Sequence, residues 1–435
     1  MLKLSVRPAV YSFFFLVIFI MRSRFLLVIF LPILFAQNVA AQKVDNEQQA
    51  QLKLFSHRLE SQHQNLIDFR RDLHRYPEVS GEEKRTAGAV SKHLKSLGLD
   101  VRNRVGGYGV VALLKGSRPG PTVAFRADMD AVYSNQPDPV AFASEIPGVR
   151  HICGHDIHTT VGIALAEGFT AIQEELAGSI LFVFQPAEER VLGARAMIDD
   201  GAFKNHRPDA IFAYHTTPLE VGQIGTKPGV MFAGRDLLTV TINSKKDLAA
   251  VAGRAKNMIR SIQTVRAGET SVEGDFITLN IFRSERVTGR KSWRIQASLS
   301  TTSPKMREQA QDELRKKLDT LLFEGATYDM EYIERTAGGV NNDLVLEAAS
   351  HHPIRAVIGD SNLVMIKEIP VGFSEDFGFF QDEVPGVMYF LGVSNQEKGW
   401  VGMPHTPNYV ADEASIFIGA EAMAAVMLDY LATER

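Results

Sequence analysis

Short apolar runs alternate with amphipathic segments along most of the chain, and this alternation is typical of an α/β layer. Five runs of strand length consist mainly of apolar side chains and predict buried strands: residues 110–114, 122–126, 179–184, 209–214 and 387–391. Segments with helical patterning lie around them: residues 48–76, 158–175, 193–200, 341–351 and 411–431. A further helix is predicted to open at the capping-box sequence Ser80-Gly81-Glu82-Glu83 and to stop before Gly98. The pattern therefore predicts a mainly parallel central sheet with helices on its faces.

The stretch between residues 236 and 334 has its own order of elements. The predicted strands cover residues 236–243, 276–283, 293–300 and 327–334, and the helices cover residues 247–266 and 305–322. This β-α-β-β-α-β order is that of a ferredoxin-like unit, and α/β patterning resumes after it. We therefore predict an α/β/α domain with a mainly parallel central sheet, formed by residues 42–235 and 337–435, and a ferredoxin-like (βαββαβ) domain inserted over residues 236–336.

The amino-terminal 41 residues have the pattern of a signal peptide. Two apolar runs, residues 13–20 and 25–36, are separated by Arg22 and Arg24, and Val39-Ala40-Ala41 offers small residues for cleavage. Met21 is a second candidate start, and an uncleaved anchor is the alternative. We expect cleavage near Gln42, export to the periplasm or the extracellular space, and no stable membrane insertion afterwards.

The overall composition is that of an ordinary globular protein and excludes several classes. The 435 residues are 45% hydrophobic and 23% charged, which rules out disorder and collagen-like repeats. The formal net charge is −4, so no basic excess indicates a nucleic-acid partner. Cys153 is the only cysteine, so no intrachain disulfide can form.

That cysteine lies in the densest group of chemically active side chains. His151-Ile152-Cys153-Gly154-His155-Asp156-Ile157-His158 combines three histidines, a thiol and a carboxylate before a predicted helix. Thiolate and imidazole are good ligands for zinc and similar ions. A histidine-rich surface turn is the alternative.

Carboxylates follow two of the predicted strands. Asp128 and Asp130 leave one strand, where they could bind a metal, orient a histidine or simply cap a turn. Glu188 and Glu189 leave the next, where one could bind a metal while the other acts as a general base, unless both lie in a solvated loop.

Two isolated histidines, His215 after a strand and His405 in a loop, add further candidate ligands, and residues 372–377 could line a cleft. Since ligand sites of α/β sheets form outside the carboxyl ends of strands, the set suits two divalent ions bridged by a hydroxide.

At these segments the chain resembles the metal-dependent amidohydrolases of the aminoacylase/carboxypeptidase-type metallopeptidase family. The branch it resembles includes hippurate hydrolases, N-acyl-amino-acid amidohydrolases and the indole-acetyl-amino-acid hydrolases of plants. The matching segments are residues 71–78, 126–130, 153–159, 185–189, 374–377, His215 and His405.

The resemblance implies a metal centre with defined roles. Its ligands would be Cys153, His155, Glu189, His215 and His405, and Glu188 would be the general base. Asp130 and Asp156 would support them. The cofactors would be two divalent ions per subunit, zinc or manganese first, with cobalt or nickel as further candidates. The implied substrate is a small N-acyl amino acid or peptide.

The resemblance also implies that the α/β/α domain is catalytic and that the inserted domain, residues 236–336, is its lid. The sequence of this lid domain departs from the family pattern. Its first strand should run into a Gly-Gly-His-Ala segment whose histidine polarises the scissile carbonyl, but no histidine lies between residues 216 and 350. An Asn-x-x-Pro-Asp segment is also missing, and Arg290 and Lys291 stand near its place. An oxyanion donor contributes about 2.7–4 kcal/mol to a reaction barrier. The departure leaves dimerisation through this domain open as well.

Three hypotheses follow. The first is an exported amidohydrolase that uses metal-bound hydroxide and Glu188. The second is a catalytically impaired relative that binds metal or ligand without turnover, because the lid histidine is missing. The third makes Cys153 a nucleophile beside a histidine, but it leaves the Glu188–Glu189 pair unexplained.

Overall fold

The computed structural model describes residues 27–266 and 268–432, with side chains from Asn46 onward. The predicted signal peptide therefore lies outside the described residues over 1–26, and over 27–41 only its helical backbone is described. The chain forms two compact units, Met1–Lys53 and Leu54–Arg435. Apart from the start of the first described helix, all that follows concerns the second unit.

The described elements, in chain order, are eighteen strands and nine α-helices. The strands are β1 Asp100–Val105, β2 Gly109–Lys115, β3 Arg118–Asp128, β4 Val132–Tyr133, β5 Val149–Arg150, β6 Ala177–Gln185, β7 Ala210–Glu220, β8 Ile224–Thr226, β9 Gly229–Phe232, β10 Gly234–Ser244, β11 Ser271–Glu273, β12 Ile277–Arg286, β13 Ser292–Thr301, β14 Ala326–Ala337, β15 Val340–Asn342, β16 Leu363–Met365, β17 Glu368–Pro370 and β18 Gly386–Ser394. The helices are α1 Leu27–Arg75, α2 Lys84–Ser96, α3 His155–Ala171, α4 Gly193–Asp199, α5 Leu248–Arg260, α6 Pro304–Asp319, α7 Leu344–Ile358, α8 Gly378–Glu383 and α9 Ala414–Ala432.

The largest sheet has eight strands in the order β1-β2-β6-β3-β7-β18-β8-β16. Its four central strands, β6, β3, β7 and β18, pair in parallel, whereas β1, β2 and the β18–β8 pair are antiparallel. All nine residues of β18 are buried, as expected of a parallel strand covered on both faces. The predicted α/β class with a mainly parallel central sheet is confirmed.

Helices and loops bury both faces of this sheet. Helix α3 is buried from His155 to Phe169, packs against β3, and also contacts α9. On the opposite face an apolar cluster includes Met197, Phe380 and Met388. The carboxyl-terminal edge of the central strands is left for polar side chains.

A second, antiparallel sheet has the strand order β12-β13-β10-β14. Helices α5 and α6 pack on one face, where Val240, Ile295 and Leu314 belong to a separate buried cluster. The chain order β10-α5-β12-β13-α6-β14 is the predicted βαββαβ order. The predicted domain boundaries at residues 236 and 336 stay a prediction; β10 begins at Gly234 and β14 ends at Ala337.

Three local predictions differ from the structure. The capping box is wrong, because α2 begins at Lys84 without a side-chain cap, and Ser80 donates its hydroxyl to Asp130 instead. The helix predicted from residue 341 begins at Leu344, because residues 340–342 pair with β9 as a strand. Strand β1 was not predicted, since its sequence DVRNRV is largely polar and mostly exposed.

One described helix, Ala414–Ala432, is long and apolar enough to cross a membrane. About two thirds of it is buried inside the protein, as in a core helix of the sheet layer.

Candidate metal centre

The parallel strands deliver the predicted site residues to one edge of the large sheet. Asp128 ends β3, and Glu188 and Glu189 follow the end of β6. His215 lies in the neighbouring β7, and Cys153 precedes α3. Because the carboxyl ends of parallel strands meet at one edge, these side chains converge there.

A glycine makes the approach to α3 possible. Gly154 caps the helix in a left-handed conformation with φ of +84°. A Cβ atom there would lie 2.2 Å from the hydroxyl of Tyr409 and 2.6 Å from that of Thr216. Only glycine fits this position without movement, so Cys153 and His155 can both face the site from either side of it.

The five predicted ligands and Glu188 form one continuous cluster. Cys153 Sγ lies 3.6 Å from His215 Nε2. His155 Nε2 lies 3.8 Å from a Glu189 oxygen and 3.9 Å from a Glu188 oxygen. His405 Nε2 lies 3.2 Å from the same Glu189 oxygen. Among these six side chains, three groups have all their ligand atoms within 4.8 Å of one another and could hold an ion: Cys153, His155 and His215; Cys153, Glu189 and His405; His155, Glu188 and Glu189.

Hydrogen bonds turn the imidazoles toward the cluster. Nδ1 of His215 is 2.8 Å from the Thr216 carbonyl oxygen and donates to it, which leaves Nε2 as an acceptor facing Cys153. Nδ1 of His155 lies 3.2 Å from Asp130 Oδ1. This is how a metal-binding histidine is usually oriented.

The other carboxylate oxygen of Asp130 accepts from the Ser80 hydroxyl at 2.5 Å and from the Glu189 backbone amide at 2.9 Å. Asp130 therefore supports His155, as the resemblance implies.

The donor set passes a test for divalent cations. Nε2 of His155 and Oε1 of Glu189 are buried and have no hydrogen-bond partner. Polar atoms buried without a partner are unfavourable, and a cation between them would satisfy both. The mixed sulfur, nitrogen and oxygen donors suit zinc and related ions.

The pKa shifts of two buried groups also indicate that the cluster lacks positive charge. Burial and the neighbouring carboxylates of Glu375 and Glu189 raise the pKa of Glu188 well above its usual range. Burial and the charge of Glu189 likewise raise the pKa of the Cys153 thiol. A thiol in this setting is a poor nucleophile without a cation beside it, which opposes the hypothesis of a cysteine nucleophile.

Two non-glycine residues of the site have left-handed backbones. Ala187, which precedes Glu188, has φ of +53°, and His405 has φ of +58°. Such conformations are unfavourable for residues with a Cβ and persist only where the surroundings hold them.

A buried arginine organises the acidic side of the cluster. Arg126 donates to Asp128 at 2.7 Å, to Glu375 at 2.8 Å and to Gln185 at 2.8 Å. Glu188, Glu375 and Asp376 lie together beside it. The segment 372–377, predicted as a cleft lining, thus contributes two buried carboxylates to the surroundings of Glu188.

Other polar residues of the cysteine segment point elsewhere. His158 is bonded on both nitrogens, to Asp128 at 2.6 Å and to the Thr216 amide at 2.8 Å, so it has no free ligand atom. Asp156 contacts Arg70 at 2.8 Å and His74 at 2.7 Å, and not an imidazole of the predicted ligands.

Sequence reasoning missed one cation near Glu188. Arg235, the second residue of β10, is half-buried, and burial lowers its pKa while the charge of Glu188 opposes that shift. Arg290 and Lys291 are exposed in the turn between β12 and β13. The turn lies beside Asn243 of β10, about 26 Å along that strand from Arg235.

Fold and cluster together define an α/β protein with a site fit for two divalent cations at the edge of its parallel sheet. Residues 124–429 match the family model described as Peptidase family M20/M25/M40. This match covers more than half of the chain, which therefore belongs to that family. The predicted family resemblance is confirmed, and so is the predicted class of enzyme, a hydrolase acting on amide bonds.

Individual relatives agree with this assignment. The chain is 30% identical over 381 residues to IAA-amino acid hydrolase ILR1-like 5 of Arabidopsis thaliana, covering 84% of this chain and 86% of the relative. It is 29% identical over 384 residues to N-acetylcysteine deacetylase of Bacillus subtilis (strain 168), covering 85% and 98%. Among solved structures, the YXEP protein of Bacillus subtilis, described as a dinuclear metal binding peptidase from the M20 family, matches with a TM-score of 0.73 and 26% identity, covering 86% of this chain and 99% of that one.

Proposed function

We propose that this chain is a metal-dependent amidohydrolase that cleaves the amide bond of N-acyl amino acids or small peptides, with Glu188 as its general base. The observation that carries the proposal is the convergence of the five predicted ligands in one cluster, in which two buried ligand atoms, His155 Nε2 and Glu189 Oε1, have no hydrogen-bond partner. The two curated relatives are named for N-acyl or amino-acid conjugates of this kind.

The side chains that would hold two divalent ions are five in number: Cys153, His155, Glu189, His215 and His405. Bound there, the ions would polarise a substrate carbonyl and make a water acidic enough to ionise near neutral pH. Zinc or manganese fits the donors best, with cobalt and nickel next.

The surroundings of Glu188 support a role in proton transfer. It is buried, yet its carboxylate lies 3.9 Å from His155 Nε2 at the inner face of the cluster. A carboxylate whose pKa lies above its usual range can accept a proton from a water molecule and return it to the leaving amine. Arg126 and Arg235 supply nearby positive charge, and Arg126 fixes the carboxylates next to Glu188.

Metal analysis and substrate turnover test the proposal directly. The purified protein should contain close to two divalent ions per chain, measured by plasma mass spectrometry. It should also hydrolyse at least one member of a panel of N-acetyl amino acids, N-benzoyl amino acids and dipeptides. A metal content near zero after expression with supplied zinc or manganese would refute the metal centre. Two bound ions without turnover across the panel would favour the non-catalytic hypothesis instead.

A further inference from the structure

A second group of buried charged side chains links the segment before Cys153 to the loop that carries His405. Arg150 and Asp138 are almost fully buried and pair at 3.2 Å. Neither residue is among the predicted ligands, and neither touches the atoms that would hold an ion. Their contacts nevertheless lead to the loop that carries His405.

Arg150 reaches that loop through a backbone oxygen. Its Nη1 donates to the carbonyl of Pro407 at 3.2 Å, two residues beyond His405. The Ile152 carbonyl accepts a second bond to the loop, from the His405 amide at 2.8 Å. The segment just before Cys153 thus holds the loop on both sides of the histidine side chain.

His405 needs such support. Its side chain is 43% exposed, so packing alone does little to fix it. Its φ of +58° is unfavourable for a residue with a Cβ, and surrounding contacts must maintain it.

Asp138 fixes the arginine in turn. Its Oδ2 accepts from the Ser144 amide at 3.1 Å and lies 3.0 Å from His74 Nε2. The other nitrogen of His74 lies 2.7 Å from Asp156, the neighbour of His155. The guanidinium is therefore anchored to the segment that carries two of the other predicted ligands.

We propose that Arg150, held by Asp138, is the positioning residue that places His405 against Glu189 and so completes the binding of one of the two metal ions. This inference rests on the proposed function, because it concerns an ion held with His405. In this role Arg150 holds the exposed His405 in a fixed position relative to the buried ligands Cys153 and His155.

The test is a titration of the apoprotein with zinc ion alone, in competition with a chromophoric chelator, which resolves the number and affinity of bound ions. Arg150→Met should bind the first ion as the wild type does and the second about ten- to a hundredfold more weakly, the usual effect of losing a partner of a ligand. His405→Ala should show the same pattern. Arg150→Lys should recover part of the loss, because an ammonium can still donate to one carbonyl.

Arg102→Met is the matched control. Arg102 also donates to a loop carbonyl, that of Gly201, with two bonds of 3.2 Å, but it does so away from the cluster. This variant should bind both ions with wild-type affinity. Unchanged binding of both ions by Arg150→Met would overturn the inference, and so would equal losses in Arg150→Met and Arg102→Met.

Asp138→Asn provides a second route if Arg150→Met fails to fold. The amide keeps the shape of the carboxylate but loses its charge, so a smaller, selective weakening of the second ion is expected. Wild-type affinity for both ions in this variant would contradict the inference. If wild type takes up two ions and hydrolyses substrate while these variants behave like it, the inference alone fails. If wild type binds neither zinc nor manganese, the proposed function fails and the inference falls with it.

Discussion

Replacing Glu188 by glutamine distinguishes two effects of this carboxylate: its contribution to the reaction rate and the effect of its buried charge on the stability of the fold. Glutamine keeps the size of the side chain but cannot accept a proton. Loss of a general base lowers the rate about 10²- to 10⁴-fold, which corresponds to about 2.7–5.4 kcal/mol of barrier. With two ions bound, kcat of Glu188→Gln should fall within this range while KM changes little.

The same substitution should stabilise the metal-free protein. Burial and nearby carboxylates raise the pKa of Glu188, so its charge opposes folding, and each pKa unit corresponds to about 1.4 kcal/mol. The stability that protonated Glu188 provides is complete below its unfolded pKa and is lost as pH rises through the folded pKa. Apo Glu188→Gln should therefore have a higher Tm than the apo wild type at pH 8, and the two values should converge near pH 4.

Glu167→Gln is the control with the opposite sign. Glu167 is buried like Glu188, but its bonds to His93 and Arg58, at 2.8 and 2.7 Å, outweigh burial and lower its pKa. Its loss should reduce Tm at pH 7 and leave kcat unchanged. The reasoning is refuted if metal-loaded Glu188→Gln retains more than about a tenth of wild-type kcat.

Four further outcomes are expected. Removal of metal by a chelator should abolish activity and lower Tm, with both restored by zinc or manganese; an ion at a hundred times its Kd adds about 2.7 kcal/mol of stability. Gly154→Ala should lower the stability by about 1–3 kcal/mol in denaturant unfolding, because its Cβ would meet Thr216 and its φ is positive; a change below 0.5 kcal/mol would contradict the tight approach. Arg235→Gln removes positive charge near Glu188 and should move the acid limb of the kcat/KM profile to higher pH, whereas an unmoved limb would exclude their coupling. Expression in a secreting host should give a mature protein that begins near Gln42 by amino-terminal sequencing, and an intact leader would refute cleavage.

The parts of the fold that sequence patterns predicted are those with strong local signals. Residues 180–184 are a continuous apolar run, and they form the core of β6 because a buried parallel strand needs apolar side chains on both faces. Strand β1 carries no such signal, since it pairs along one edge only and leaves most of its polar side chains exposed. Ser80 has the local sequence of a helix cap, but a bond to Asp130, fifty residues away, decides its conformation.

The same contrast holds in the site. Cys153, His155, Glu188 and Glu189 come from short, chemically dense segments, so residue type and spacing suffice to single them out. Arg150 lies three residues from Cys153, but its contact with Pro407 spans 257 positions and leaves no local pattern. The roles of the cluster residues as metal ligands and general base stay predictions, whereas the convergence of these side chains is a property of the structure.

The only thiol of this protein is buried in the cluster. Because no second cysteine exists, a thiol-specific alkylating reagent reports on this single position. The rate of alkylation then measures how often the thiol becomes accessible to solvent. A bound ion would lower this rate because it would hold the sulfur. Intact-mass measurement of the alkylated fraction can thus follow both metal binding and the solvent accessibility of the centre.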